Sequence, residues 1–220
     1  MAFDIEAKGE SAKEMTQIRH RSFVIASILS AVGFLEATIN ELFYVASDRV
    51  LESSRITDTQ RNCLYPIWTI KRFRKGASIL EKYQTALLLL NNAPFDEGKN
   101  PYQGAKLSID LWNALVHYVP ETTEVTLEQY EDQVGQLEKK LKGKFKTSPF
   151  SGDFPVIVAA QPNRRAKYPF FPNRCLGSGC SEWVSQSCLS FANEFFQLIN
   201  VKWHYHEYLS ELPRLEQGQD

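Results

Sequence analysis

The alternation of apolar and polar positions is helical along almost the whole chain. Between about Lys13 and Leu51 there is no proline. Phe23, Ile25, Ile28, Leu29, Val32, Leu35, Ile39, Leu42, Phe43 and Ala46 recur there mostly three and four apart, which predicts one long helix. Ala26, Ser30, Gly33 and Ala37 are small enough to let another helix come close. Ser53 to Pro66 reads as a connection. Ile67 to Asn91 reads as one helix, or as a short and a longer helix broken near Gly76. Pro94, Gly98, Asn100 and Pro101 then mark a loop. A central helix follows in the stretch Lys106 to Glu121, ended by Pro120, because the residue before a proline is pushed out of the α region. A charged amphipathic helix spans about 123–143, with Gly143 as its stop. Residues 145–177 hold five prolines (149, 155, 162, 169 and 172) and read as a long ordered loop around the bundle. Ser181 is placed to cap an aromatic C-terminal helix that runs to about 210. The expected fold is all-α: a helical bundle in a single domain over 1–220, with its core in 13–121.

The central helix, KLSIDLWNALVHYVPE, has an unusual wheel. Lys106, Asp110, Asn113 and His117 fall at i, i+4, i+7 and i+11, within a stripe about 60° wide. Leu107, Leu111, Ala114, Leu115 and Tyr118 form one apolar face, and Ile109, Trp112 and Val116 form a second strip. A surface helix has one apolar face; two such faces predict a helix packed on both sides. The stripe is either a solvated face or a polar site whose imidazole can exchange a proton near neutral pH.

The run LWNALVHYVPE resembles the signature helix of the HEPN superfamily of all-helical domains, whose active members carry an arginine, a polar residue and, further on, a histidine. Asn113 and His117 match the polar residue and the histidine, while Trp112 occupies the arginine position. The resemblance implies a HEPN-like bundle. It also implies one of two functions. The first is a non-catalytic dimerisation or partner-binding module with a degenerate ribonuclease motif, in which Trp112 extends the apolar strip into an interface. The second is a metal-independent endoribonuclease of a toxin or antiviral defence type. There His117 would activate a ribose 2′-OH or protonate the leaving oxygen, Asn113 would orient it, and Asp110 and Lys106 would assist. Glu36 and Asn40, four apart on the first helix, resemble polar residues that HEPN-like first helices carry. They serve either that site or a face in water.

Composition narrows the choices. The net charge is −1, which argues against a broad phosphate-binding surface and leaves local basic patches for any RNA contact. One patch is Lys71, Arg72, Arg74 and Lys75. Arg72 and Arg74 are candidate phosphate contacts that would replace the missing arginine, or else a solvated helix end. Another is Arg164, Arg165, Lys167 and Arg174, interleaved with Tyr168, Phe170 and Phe171, a mixture that suits single-stranded RNA but also a loop pinned by its rings. The four cysteines do not suggest a disulfide scaffold. The spacing of Cys175, Cys180 and Cys188, with His204 and His206, fits no zinc pattern, so neither a metal nor a cofactor is expected. The glycines of 177–179 lack the rest of a phosphate loop. The apolar run Phe23 to Leu35 is interrupted by Ser27, Ser30 and Gly33, is followed by Glu36, and falls short of the ~20 residues of a membrane span. With no signal peptide visible, the expected location is the cytoplasm, without membrane contact. A homodimer, RNA or another protein are the partners these readings imply.

Overall fold

The computed structural model describes residues 14–47, 56–117, 137–147, 171 and 175–203. The helices in that range are α-helices, and no strand occurs among the described residues. The protein is all-α. Its helices are α1 (Glu14–Ser47), α2 (Asp58–Thr69), α3 (Lys71–Gly76), α4 (Ile79–Leu89), α5 (Tyr102–Val116) and α6 (Ser178–Leu198). A further turn of helix covers 137–141 and ends before Gly143, which sits at φ +78°. The proline-rich stretch and its basic residues, Tyr118, most of the expected charged helix, and His204 and His206 lie outside the described residues.

The chain forms two compact units. The first takes residues 1–35 and 97–191, the second 36–96 and 192–220, so α1 and α6 each supply residues to both. In the first unit Val24, Ile28, Val32 and Leu35 of α1, Leu107 and Leu111 of α5, and Val184, Cys188 and Phe191 of α6 are buried. Tyr102 meets Phe191 edge-on, with ring centroids 6.3 Å apart. In the second unit the core is aromatic. Phe43 stacks on Trp68 at 5.3 Å and meets Phe73 at 5.4 Å. Tyr83 meets Phe195 at 4.7 Å, and Phe196 stacks on Trp203 at 5.0 Å.

Several boundaries differ from the sequence reading, each for a local reason. Ser53–Pro66 is not all connection, since α2 begins at Asp58. Thr57 and Gln60 form a capping box there, the Thr57 hydroxyl accepting from Gln60 N–H and the Gln60 side chain accepting from Thr57 N–H. Pro66 sits inside this helix near its end, where a missing N–H forfeits a single backbone bond. A second capping box, Ser78 with Glu81, starts α4 and accounts for the break after Gly76. The two backbone and side-chain bonds from Ser78 hold the Glu81 carboxyl below its ordinary value. Helix α6 starts at Ser178, not Ser181; Ser181 N–H donates to Gly177 O, and its hydroxyl donates back to Ser178 O. It stops at Leu198, well short of 210. Asn200 is left-handed at φ 53°, and Val201 N–H reaches Phe196 O while Asn200 N–H reaches Gln197 O, the bond pair of a Schellman motif. Asn91, at φ 58°, ends α4 in the same way.

Helix α1 also revises an expectation. Its segment Thr16–Ser47 passes the length and composition test for a membrane span, at mean hydropathy 1.9, although core helices of soluble proteins pass it too. The serines and the glycine that interrupt Phe23–Leu35 do not interrupt the helix. One stripe of it, from Val24 through Ala46, is buried within the protein.

Candidate functional site

Helix α5 begins a turn earlier than expected, at Tyr102, and ends at Val116, with His117 as its C-cap donating its N–H to Asn113 O. Its inner side is well packed. Ala105, Leu107, Ser108 and Leu111 are buried, and the Ser108 hydroxyl donates to Gly104 O at 2.8 Å. The Cys188 thiol of α6 lies against Ser108, and burial pushes it up to about 12. The second apolar strip is less covered: Ile109 and Trp112 are half-buried and Val116 is 48% exposed.

The polar stripe divides. Asn113 and His117 lie in water at the C-terminal end of the helix, and neither side chain has a hydrogen bond among the described residues. Lys106 and Asp110, about two turns and one turn before Asn113, line a cleft of about 600 Å³ within the first unit. Its two long walls are helix faces. Gln103, Lys106, Leu107 and Asp110 recur at i, i+3, i+4 and i+7 on α5, and Trp183, Gln186, Ser187 and Ser190 repeat that spacing on α6. The helices come close at Gly104, where a Cβ would lie 3.1 Å from the Ser187 side chain.

The third side comes from the lysines that follow the helical turn at 137–141. Lys140 and Lys144 line the cleft. Gly179, in the first turn of α6, lets this segment approach, since a Cβ there would stand 2.7 Å from Lys146 O. Phe145 packs against Trp183 with ring centroids 5.7 Å apart. Among the described residues, three ammonium groups therefore share the cleft with one carboxylate, Asp110. None of these four has a hydrogen bond or ion pair among the described residues.

The remaining candidates lie in the second unit. Asn40 accepts a 2.9 Å hydrogen bond from the Lys82 ammonium, and Lys82 is only 3% exposed. Asn40 thus satisfies a buried cation, and Glu36, one turn earlier, is exposed. Arg72 and Arg74 are exposed on the short helix α3. They belong to the second unit and His117 to the first.

Lys82, Lys140, Lys144 and Trp183 are the residues that sequence reasoning missed. The signal for the cleft was present in part: LEKKLKGKFK concentrates lysines, and α6 carries hydroxyls and amides at helical spacing beside its aromatic face. Among the described residues no group of three or more His, Cys, Asp or Glu side chains could hold a metal ion. The Cys175 and Cys180 sulfurs are 3.9 Å apart and buried, and each other's company and burial push the Cys180 thiol well up.

The fold and site define an all-α protein with a polar, lysine-rimmed cleft between two helices. No family model, curated protein or solved structure matches the chain.

Proposed function

We propose that this protein is a non-catalytic, HEPN-like binding module that pairs with a second copy of itself through the strip Ile109, Trp112 and Val116. The observation that carries this reading is the contrast along α5. The apolar strip is left half-buried to exposed, with an indole at its centre, and Trp is a frequent interface anchor. Among the described residues, neither of the two motif side chains that would do chemistry has a hydrogen bond. Transition-state stabilisation depends on groups held in place before the reaction, and losing one such donor commonly costs roughly 10²–10³ in rate. Trp112 in place of the arginine removes the group that would meet a charged phosphorane, and solvated Asn113 and His117 side chains are not held for it. The buried stripe of α1 supports its role as a core helix, with no membrane in the reading and the cytoplasm as its location.

The alternative is a metal-independent endoribonuclease that uses His117. It is favoured by the accessibility of Asn113 and His117 on one stripe, where a strand could reach both.

Two measurements test the choice. Light scattering of the whole chain should give a dimer, and Trp112→Glu a folded monomer. A wild-type monomer at micromolar concentration would sink the pairing. Incubation with a mixed single-stranded RNA without metal should give no cleavage by wild type. Cleavage that disappears in His117→Ala would establish the nuclease instead.

A further inference from the structure

We propose that the cleft between α5 and α6 is a binding site for a nucleoside phosphate, a small molecule unrelated to the pairing strip on the other side of α5. Three properties of the cleft each demand a different part of such a ligand.

The first is charge. Lys106, Lys140 and Lys144 converge on one cavity from two separate segments, in a chain whose net charge is −1. The stretch 138–146 around the latter two carries five lysines against one glutamate. Like charges brought together repel one another, one carboxylate among the described residues does not balance three ammonium groups, and an anion relieves that repulsion. Ammonium groups act as point charges towards phosphate, each with three donors.

The second is the one carboxylate among the described lining residues. Asp110 faces the same cavity. An ionised carboxylate only accepts hydrogen bonds. It repels a bare phosphate and needs donors, which ribose hydroxyls and base amino groups supply. Gln103, Gln186 and Ser190 offer both donors and acceptors beside it.

The third is shape. Trp183 gives the cleft a flat aromatic wall, backed by Phe145. Stacking on such a ring is tolerant of base identity. The cleft volume of about 600 Å³ lies within the range of roughly 300–1,000 Å³ typical of small-molecule sites. Inorganic phosphate would leave Trp183 and Asp110 without a role, and an uncharged nucleoside would leave the lysines without one.

The test is calorimetric titration of the whole chain with ADP, GDP, CDP and UDP, and separately with adenosine and pyrophosphate. At least one diphosphate should bind more tightly than both adenosine and pyrophosphate, and more weakly as salt is raised. The double variant Lys140→Gln, Lys144→Gln should weaken that binding by about tenfold or more. Trp183→Ala should weaken it by roughly tenfold, as loss of a stacked base does. The decisive variant is Asp110→Asn. It should weaken the nucleotide and strengthen pyrophosphate, because it removes a strong acceptor from one and a repelling charge from the other. All these positions are exposed or half-buried, and circular dichroism would verify that each variant folds. The proposal is overturned if no diphosphate binds at millimolar concentration, or if pyrophosphate binds as tightly as the best nucleotide. It is also overturned if a single-stranded oligoribonucleotide displaces that nucleotide at a far lower concentration, which would make the site a strand groove.

Discussion

The two units are built from different materials. The second is held by rings: Phe43 with Trp68 and Phe73, Tyr83 with Phe195, Phe196 with Trp203. The first is closed around small and polarisable groups. Its interior includes Cys175, Cys180, Cys188, Ser108 and Gly104, and Ser27 lies 3.5 Å from Ser185. Large rings fill space and bury 150–250 Å² each. Small residues let backbones approach but leave the helix faces that flank the contact with less to interlock. The cleft lies in the unit with the small residues. Close approach at Gly104 and Ser187 and an open polar groove beside it belong to the same piece of helix packing.

The comparison predicts unequal sensitivity to truncation. Phe196 is fully buried against Phe195 and Trp203, at 5.0 Å from each ring. Phe196→Ala should lower the unfolding free energy by about 3–5 kcal/mol. Cys188→Ala, in the first unit, removes one sulfur atom and should cost about 1 kcal/mol. Urea unfolding of the two variants checks this. Equal losses would mean that the core around Cys188 is as tightly interlocked as the aromatic one.

The second unit has its own polar exception in Lys82. Burying an ammonium costs far more than burying a methylene chain gains, unless a partner accepts a hydrogen bond from it. Asn40 is that partner. Asn40→Ala should cost about 1–3 kcal/mol, because the cation stays buried without its acceptor. Lys82→Met keeps the apolar stem out to the ε-carbon, removes the charge, and should cost less than Asn40→Ala, since Asn40 is half-buried and can turn to water. The same urea series decides it. A larger loss for Lys82→Met would show that the ammonium contributes more than its bond to Asn40.

Much of this architecture is legible in the sequence, and the illegible parts have identifiable causes. Helix α1 is plain because nothing between residues 14 and 47 breaks its period. The inner face of α5 is plain because Leu107 and Leu111 recur at helical spacing. Helix α2 is hidden by Pro66, which reads as a loop signal, while the Thr57–Gln60 box that starts the helix is a four-residue cue. The ends at Asn91 and Asn200 are easy to pass over, because asparagine takes the left-handed position that glycine usually marks. The cleft is harder still. Lys106 and Asp110 stand out on one wheel, but Lys140 and Trp183 acquire their meaning only from α6 and the 137–147 segment lying beside α5. A wheel describes one helix, and no local period encodes which face of another helix lies opposite it.

The smallest effect expected is chemical and concerns the sulfurs. Cys63, in the second unit, is half-buried, whereas Cys175, Cys180 and Cys188 in the first are buried. Alkylation needs the thiolate. With its thiol pushed up to about 12, Cys188 has only about one thiolate in 10⁴ at pH 8, and burial blocks the reagent as well. Native protein treated with iodoacetamide at pH 8 should therefore take one adduct, at Cys63, and protein unfolded in guanidinium should take four, as counted by mass spectrometry. Raising the pH to 9 multiplies the Cys188 thiolate fraction by about ten yet leaves it below about 1%, so its protection should persist. Adducts at Cys175, Cys180 or Cys188 under native conditions would report local opening of the first unit. That outcome would sharpen the contrast between the units, because the small-residue core would then be the softer one in motion as well as in composition.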